Sequence, residues 1–246
     1  MCKRGTYRGA SALGNTETAA SVRSAEVRKF DRLAATWWDR MGPMAALHTM
    51  NPLRTGWVAE RIPPGCRLLD VGCGGGIAAE AFAQKGFQVT GIDAAEAPIK
   101  VARAHAKAGK LKIDYRATTA EALRDAGETF DVVCALEVIE HTTDPAAFMR
   151  LLATLVAPGG RLFVSTINRT WRAYAFAIVG AERVLKLLPV GTHDWNRFVT
   201  PDELAGFSRA AGLSPSEITG MVPVLLSGKW RASRDTAINY MAMMLK

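Results

Sequence analysis

The sequence predicts an open α/β sheet, mostly parallel, with helices on both faces. Two observations carry that expectation. Between residues 67 and 168, short apolar runs alternate with helix-length amphipathic stretches, and the first run ends in a glycine cluster. A third observation is bulk: 246 residues, 49% hydrophobic and 22% charged, suffice for one large packed domain and exclude global disorder.

The elements follow in order. Residues 1–24 begin MCKRGTYRGASALGNTETAA, basic and small with no continuous apolar core, and read as a flexible tail rather than a secretory signal. Val27, Phe30, Leu33, Ala34, Trp37 and Met41 recur at helical spacing, predicting an amphipathic helix that ends near Gly42-Pro43. Asn51-Pro52-Leu53-Arg54 reads as a turn leading to a short helix, so 25–65 form a helical lid. Then RLLDVG, FQVTGID, KIDYRA, FDVVCA and RLFVSTIN read as strands. The helices IAAEAFAQKG, AAEAPIKVARAHAKAG, TTAEALRDAG and DPAAFMRLLATLVAPGG separate them, the last starting with Pro and stopping at Pro158-Gly159-Gly160. The rhythm lapses over 168–198 and resumes with a helix PDELAGFSRAAG, a strand LSPSEITG and a last apolar segment AINYMAMMLK. That makes seven strands. Ligands of such sheets sit beyond the carboxyl ends of the strands, where strand order reverses.

Thirty-one Lys+Arg against 23 Asp+Glu leave a formal +8, which points to an anionic partner: nucleic acid, an acidic substrate or a lipid surface. Cys2, Cys66, Cys73 and Cys134 form no CxxC pair, which argues against a disulfide scaffold or structural zinc and for a reducing cytoplasm. No stretch reaches the roughly 18 uninterrupted apolar residues of a membrane span.

The sharpest local signal is Leu69-Asp70-Val71-Gly72-Cys73-Gly74-Gly75-Gly76, ending the first strand. Glycines there permit a tight turn and let a ligand approach bare backbone beside a helix N-terminus. A dinucleotide fingerprint would place its third glycine at 77, which is Ile77, and this disfavours a nicotinamide-dependent reductase. Asp93 closes the second strand, where a carboxylate can accept both hydroxyls of a ribose.

Asp before G-x-G-x-G, with an acid ending the next strand, resembles the class I S-adenosylmethionine-dependent methyltransferases. The resemblance implies a Rossmann-like, seven-stranded fold and S-adenosylmethionine as cofactor, with Asp70, Ala117-Thr118 and Leu136 near it. Further segments resemble the ubiquinone-biosynthesis O-methyltransferase family: Phe30 with Trp37-Trp38-Asp39, Asn51-Pro52-Leu53-Arg54, Val101-Ala102-Arg103 and Leu136-Glu137-Val138-Ile139-Glu140-His141. So do Ser165-Thr166-Ile167-Asn168-Arg169, Val179-Gly180-Ala181-Glu182, Gly191-Thr192-His193-Asp194, Ile218-Thr219-Gly220 and Asn239-Tyr240-Met241. The likeness runs in order from about residue 27 to the end. It makes 66–246 a methyltransferase domain that methylates polyprenylated catechols (2-polyprenyl-6-hydroxyphenol and 3-demethylubiquinol). It also implies Arg54, Gly72, Asp93 and Leu136 as cofactor contacts, and a guanidinium at Arg54 suits the methionine carboxylate.

Glu137, Glu140 and His141 have the spacing i, i+3, i+4 and share one face if the turn is helical. The resemblance implies Mg²⁺ at these three. A phenol titrates near 10, at about the Tyr value, so its proton must be removed, by a chelated ion or by His141 or Glu137 as catalytic base. Mg²⁺ prefers oxygen ligands, so His141 fits a metal set less well than a pocket wall, and both readings stay open.

Within 168–198, Trp171, Tyr174, Ala175, Ile178, Leu185 and Leu188 form an apolar stripe. Over 168–197, five basic residues face two acidic ones, a formal +3. That describes a basic amphipathic insertion able to lie on an anionic membrane surface, or one packed on the core. With a polyprenylated substrate, it implies a cytoplasmic protein associated peripherally with the inner membrane, with a place in a ubiquinone-biosynthesis complex. Nucleic acid is not expected, because the charge is spread and no aromatic-basic stacking run is present. A tRNA methyltransferase and a non-catalytic scaffold are the alternatives.

Overall fold

The computed structural model describes residues 24–175, 194–224 and 228–246. The chain runs α1 (Ser24–Leu33), α2 (Ala45–Ala59), β1 (Arg67–Val71), α3 (Ile77–Gln84), β2 (Gln88–Asp93), α4 (Glu96–Ala108), β3 (Asp114–Ala117) and α5 (Ala120–Asp125). It continues with β4 (Phe130–Leu136), α6 (Pro145–Leu155), β5 (Val156–Ile167), the single turn α7 (Trp171–Ala173), α8 (Pro201–Ala210), β6 (Ser214–Val224), β7 (Lys229–Ser233) and β8 (Asn239–Leu245).

The strands form one sheet in the order β3-β2-β1-β4-β5-β8-β6-β7. Pairs within β3-β2-β1-β4-β5 are parallel, and β8, β6 and β7 add antiparallel pairs. The chain winds outward from β1 to β3, then returns to place β4 on the other side of β1. Strand order therefore reverses between β1 and β4, and a cleft opens at their carboxyl ends.

Strand alternation divides the core in two. Leu68, Val132, Cys134, Phe163, Met241 and Met243 pack under α2, α3 and α4. Leu69, Val133, Leu162, Val164, Tyr240 and Met244 face the other way, under α5, α6 and α8. Helices cover both faces, as expected. Their starts are fixed locally: the Asp144 carboxylate accepts the Ala147 N–H ahead of Pro145, and Thr200 and Glu203 form a reciprocal capping box ahead of Pro201.

Several expectations are corrected. The sheet has eight strands among the described residues, because β6 runs on to Val224 and folds back as β7. Asn51-Pro52-Leu53-Arg54 lies inside α2 instead of forming a turn. Pro52 lacks only the amide that would bond to the His48 carbonyl, and the Thr55 hydroxyl donates to the Asn51 carbonyl beside it. The first helix stops at Leu33 and is followed by a tight turn, Ala34–Thr36. That break buries Trp37 and leaves Met41, the last residue of the expected stripe, 90% exposed. Helix α6 ends at Leu155, so Pro158-Gly159-Gly160 falls in the first part of β5. The tail 1–23, and Ile178, Leu185, Leu188 and His193 of the insertion, lie outside the described residues.

Candidate functional site

At the reversal of strand order, a cleft with about 860 Å³ of free space, solvent at its mouth included, is lined by Gly72, Asp93, Leu136, Glu137 and His141 among mainly apolar neighbours. Gly72 follows β1, Asp93 ends β2, and Leu136, Glu137 and His141 come from the end of β4 and the segment after it. The turn after β1 is possible because Gly72 and Gly74 hold φ +70° and +52°. A Cβ at Gly72 would lie 2.8 Å from Val138 Cγ2, and one at Gly74 would enter the Trp37 ring.

Asp93 fastens this loop. Its Oδ2 accepts the Gly74 N–H at 2.9 Å and its Oδ1 accepts the Ala95 N–H at 2.8 Å. Burial raises its carboxyl, opposed by those two amides. The Gly72 and Cys73 amides donate to the Ile92 carbonyl, and the Thr118 amide donates to that of Asp93. Thus the carboxyl ends of β1, β2 and β3 are tied together at the cleft. Leu136, at the end of β4, forms part of the wall.

The N-terminal segment crosses over the loop. Trp38 Nε1 donates to the Gly75 carbonyl at 2.9 Å, and its ring stacks on His105 with centroids 3.4 Å apart. His105 is held in turn at 2.8 Å by the buried Glu80. Phe30 and Trp37 line the cleft, and Phe30 meets His141 edge-on at 5.6 Å.

Arg54 and Asp70 are buried and do not line the cleft. Burial lowers Arg54, opposed chiefly by the charge of Glu137, then by Asp70 and Glu140. Burial raises Asp70 to about 7, against the charge of Arg54. Among the described residues Arg54 Nε and Asp70 Oδ2 have no hydrogen-bond partner, so a buried guanidinium and a buried carboxyl each keep hydrogen-bonding capacity unspent.

Glu137, Glu140 and His141 do not share a helical face. Glu137 precedes the tight turn Ile139–His141 and holds φ +59°, a left-handed conformation costly for a side chain of its kind. Its Oε1 accepts from Ser165 Oγ at 2.7 Å and its Oε2 from Asn239 Nδ2 at 3.1 Å. Glu140 is buried and accepts from Thr166 Oγ1 at 2.8 Å; burial and the charge of Glu137 raise its carboxyl. Ser165 and Thr166 are neighbours on β5, so they project to opposite faces and draw the two carboxylates apart. Among the described residues no three His, Cys, Asp or Glu side chains are gathered to hold a metal ion. The donor set, as arranged, does not fit Mg²⁺.

A family model described as a methyltransferase domain matches residues 44–217. The chain is 52% identical over 229 residues to a ubiquinone biosynthesis O-methyltransferase of Stutzerimonas stutzeri, covering 92% of this chain and 99% of the relative. It is 48% identical over 237 residues to another so named from Methylobacterium, covering 91% and 95%. The chain belongs to the ubiquinone biosynthesis O-methyltransferase family. As a member it is an O-methyltransferase. Its fold matches that of a magnesium protoporphyrin IX methyltransferase from Synechocystis, crystallised with bound SAH, at TM-score 0.65 and 19% identity over 89% of this chain and 94% of that one. A SAM-dependent methyltransferase from Thermotoga maritima matches at TM-score 0.62 and 18% identity, over 89% and 98%.

Ser165 and Asn239 hold Glu137 in this cleft without being read as site residues from the sequence. For Ser165 and Asn239 the available signal is a polar residue within an otherwise apolar strand run.

Proposed function

We propose that the chain transfers a methyl group to a phenolic oxygen of polyprenylated catechols, 2-polyprenyl-6-hydroxyphenol and 3-demethylubiquinol. The observation that carries this reading is one apolar cleft to which two groups of residues bring different chemistry. The loop after β1 and the end of β2 bring Gly72 and Asp93, and the segment after β4 brings Glu137 and His141.

The first group suits the cofactor. Gly72 offers bare backbone, Asp93 retains lone pairs for ribose hydroxyls, and Leu136 presents an apolar wall. The unpaired Asp70 Oδ2 and Arg54 Nε suit an ammonium and a carboxylate. When bound, S-adenosylmethionine supplies a sulfonium methyl already activated for transfer.

In the second group, Glu137 accepts a hydrogen bond from the acceptor hydroxyl and so aims its oxygen. The phenolic proton passes to Glu137 or His141 as the methyl–oxygen bond forms, leaving a methyl ether and S-adenosylhomocysteine. Apolar walls and Trp37 exclude water from this exchange.

The 74% exposed Trp171, within a sequence stretch of formal +3 over 168–197, supports contact with an anionic lipid surface that presents the polyprenyl chain. It is consistent with a cytoplasmic protein at the inner membrane, within a ubiquinone-biosynthesis complex. Among the described residues no helix is long and apolar enough to cross a membrane.

The test is methyl transfer from labelled S-adenosylmethionine to a short-chain 3-demethylubiquinol, with EDTA and with Mg²⁺ added back. Labelled ubiquinol is expected. No transfer by protein that binds S-adenosylhomocysteine would overturn the acceptor and favour tRNA. Loss with EDTA and return with Mg²⁺ would mean that a metal gathers Glu137, Glu140 and His141, drawing Glu140 from Thr166. Acceptor embedded in anionic vesicles should turn over faster than in neutral ones, with the gain removed by salt.

A further inference from the structure

Asn239-Tyr240-Met241 lies a hundred residues beyond the site, yet its first member reaches it. Strand β8 runs antiparallel to β5, pairing Asn239 with Ile167 and Met241 with Ser165. By strand alternation Asn239 and Ser165 project from the same face, the one covered by α2. There each donates to a separate oxygen of Glu137, Ser165 Oγ at 2.7 Å and Asn239 Nδ2 at 3.1 Å. Both donors are buried. The Glu137 amide also donates to the Ser165 carbonyl at 2.9 Å, closing the loop at φ +59°.

We propose that Asn239 and Ser165 are positioning residues that fix the Glu137 carboxylate for the acceptor hydroxyl. The inference rests on the reading of Glu137 as the hydrogen-bond acceptor for that hydroxyl. A carboxylate on a flexible stem would otherwise sample several rotamers, and the strained backbone beneath it would relax. With one donor on each oxygen, its plane is set and one lone pair per oxygen remains. Both supports are neutral, so they orient the carboxylate without cancelling its charge. The amide orientation is forced as well, since Asn239 Oδ1 facing Glu137 would set two acceptors against each other. Tyr240, the next residue, fixes the strand by donating from its hydroxyl to the Val199 carbonyl at 2.9 Å.

The test compares Glu137→Gln, Asn239→Ala, Ser165→Ala and the double variant Glu137→Gln/Asn239→Ala in the ubiquinol assay, with S-adenosylhomocysteine affinity measured separately. Asn239→Ala and Ser165→Ala should each lower kcat about ten- to hundredfold, the effect of losing one hydrogen bond to a charged group, at unchanged cofactor affinity. Ser165→Thr, which keeps the hydroxyl, should restore kcat. The double variant should be no slower than Glu137→Gln alone, because the amide acts only through that carboxylate. Asn168→Ala removes a nearby buried amide bonded to the Thr236 carbonyl and controls for general loosening; its kcat should stay at the parent value. Full turnover by Glu137→Gln would instead refute the role of Glu137 itself. A collapsed Glu137→Gln beside an unaffected Asn239→Ala and Ser165→Ala would overturn the positioning proposal alone. So would a double variant slower than Glu137→Gln, or a matching loss of cofactor affinity.

Discussion

Asp70, the penultimate residue of β1, carries a carboxyl that burial raises to about 7, even against the charge of Arg54. The unfolded chain would titrate the same group near 4, at about the ordinary Asp value. Between those values the native state binds more protons than the unfolded one, so this group makes stability fall as pH rises through the window. Glu140 adds a slope of the same sign. Replacing Asp70 by Asn should remove its share: urea midpoints at about pH 5 and about pH 8 should converge in Asp70→Asn relative to the parent. A parent-like slope would mean that Arg54 keeps Asp70 ionised in the fold. The place of Asp93 at the cleft was legible because chain order alone, strand then glycines then acid, sets it there. Asn239 was not, since its contact with Glu137 spans 102 positions and depends on the register of β8 against β5.

At the scale of elements, local chemistry wrote most boundaries and tertiary demand rewrote a few. Helix α8 shows the first case: Thr200, Pro201 and Glu203 give a complete start signal, and the helix begins there. Thr200→Ala should cost about 1 kcal/mol, seen as a fall in Tm of about 2–4 °C with methyl transfer unchanged. No shift would place the start of α8 under the control of packing, through Leu204 in the core, rather than of the cap. Helix α2 shows the second case. Its Pro52 reads as a break, but Arg54, Thr55, Trp57 and Val58 are buried beyond it, and that packing outweighs one missing hydrogen bond. The first helix errs in the opposite direction. Its apolar spacing continues to Met41, yet Trp37 is buried against the glycine loop and the Trp38 indole donates to Gly75, which a straight helix would not allow.

Across the whole molecule, the parallel half β3-β2-β1-β4-β5 was legible because each strand is a short buried run followed by its own helix. The β6-β7 hairpin was not: β7, Lys229–Ser233, is half-exposed and lacks an apolar run, so only its pairing with β6 makes it a strand. This division of the sheet is also a division of labour. The strands left of the reversal supply Gly72 and Asp93, while β4, braced by β5 and β8, supplies Glu137. The central claim is that these two groups of cleft residues serve different ligands. Calorimetric binding of S-adenosylhomocysteine to Asp93→Ala and Glu137→Gln, each paired with its methyl-transfer rate, tests it most directly. Asp93→Ala should bind about ten- to hundredfold more weakly, having lost a charged acceptor, while Glu137→Gln should bind like the parent and turn over poorly. Weakened binding in Glu137→Gln with intact binding in Asp93→Ala would contradict the account.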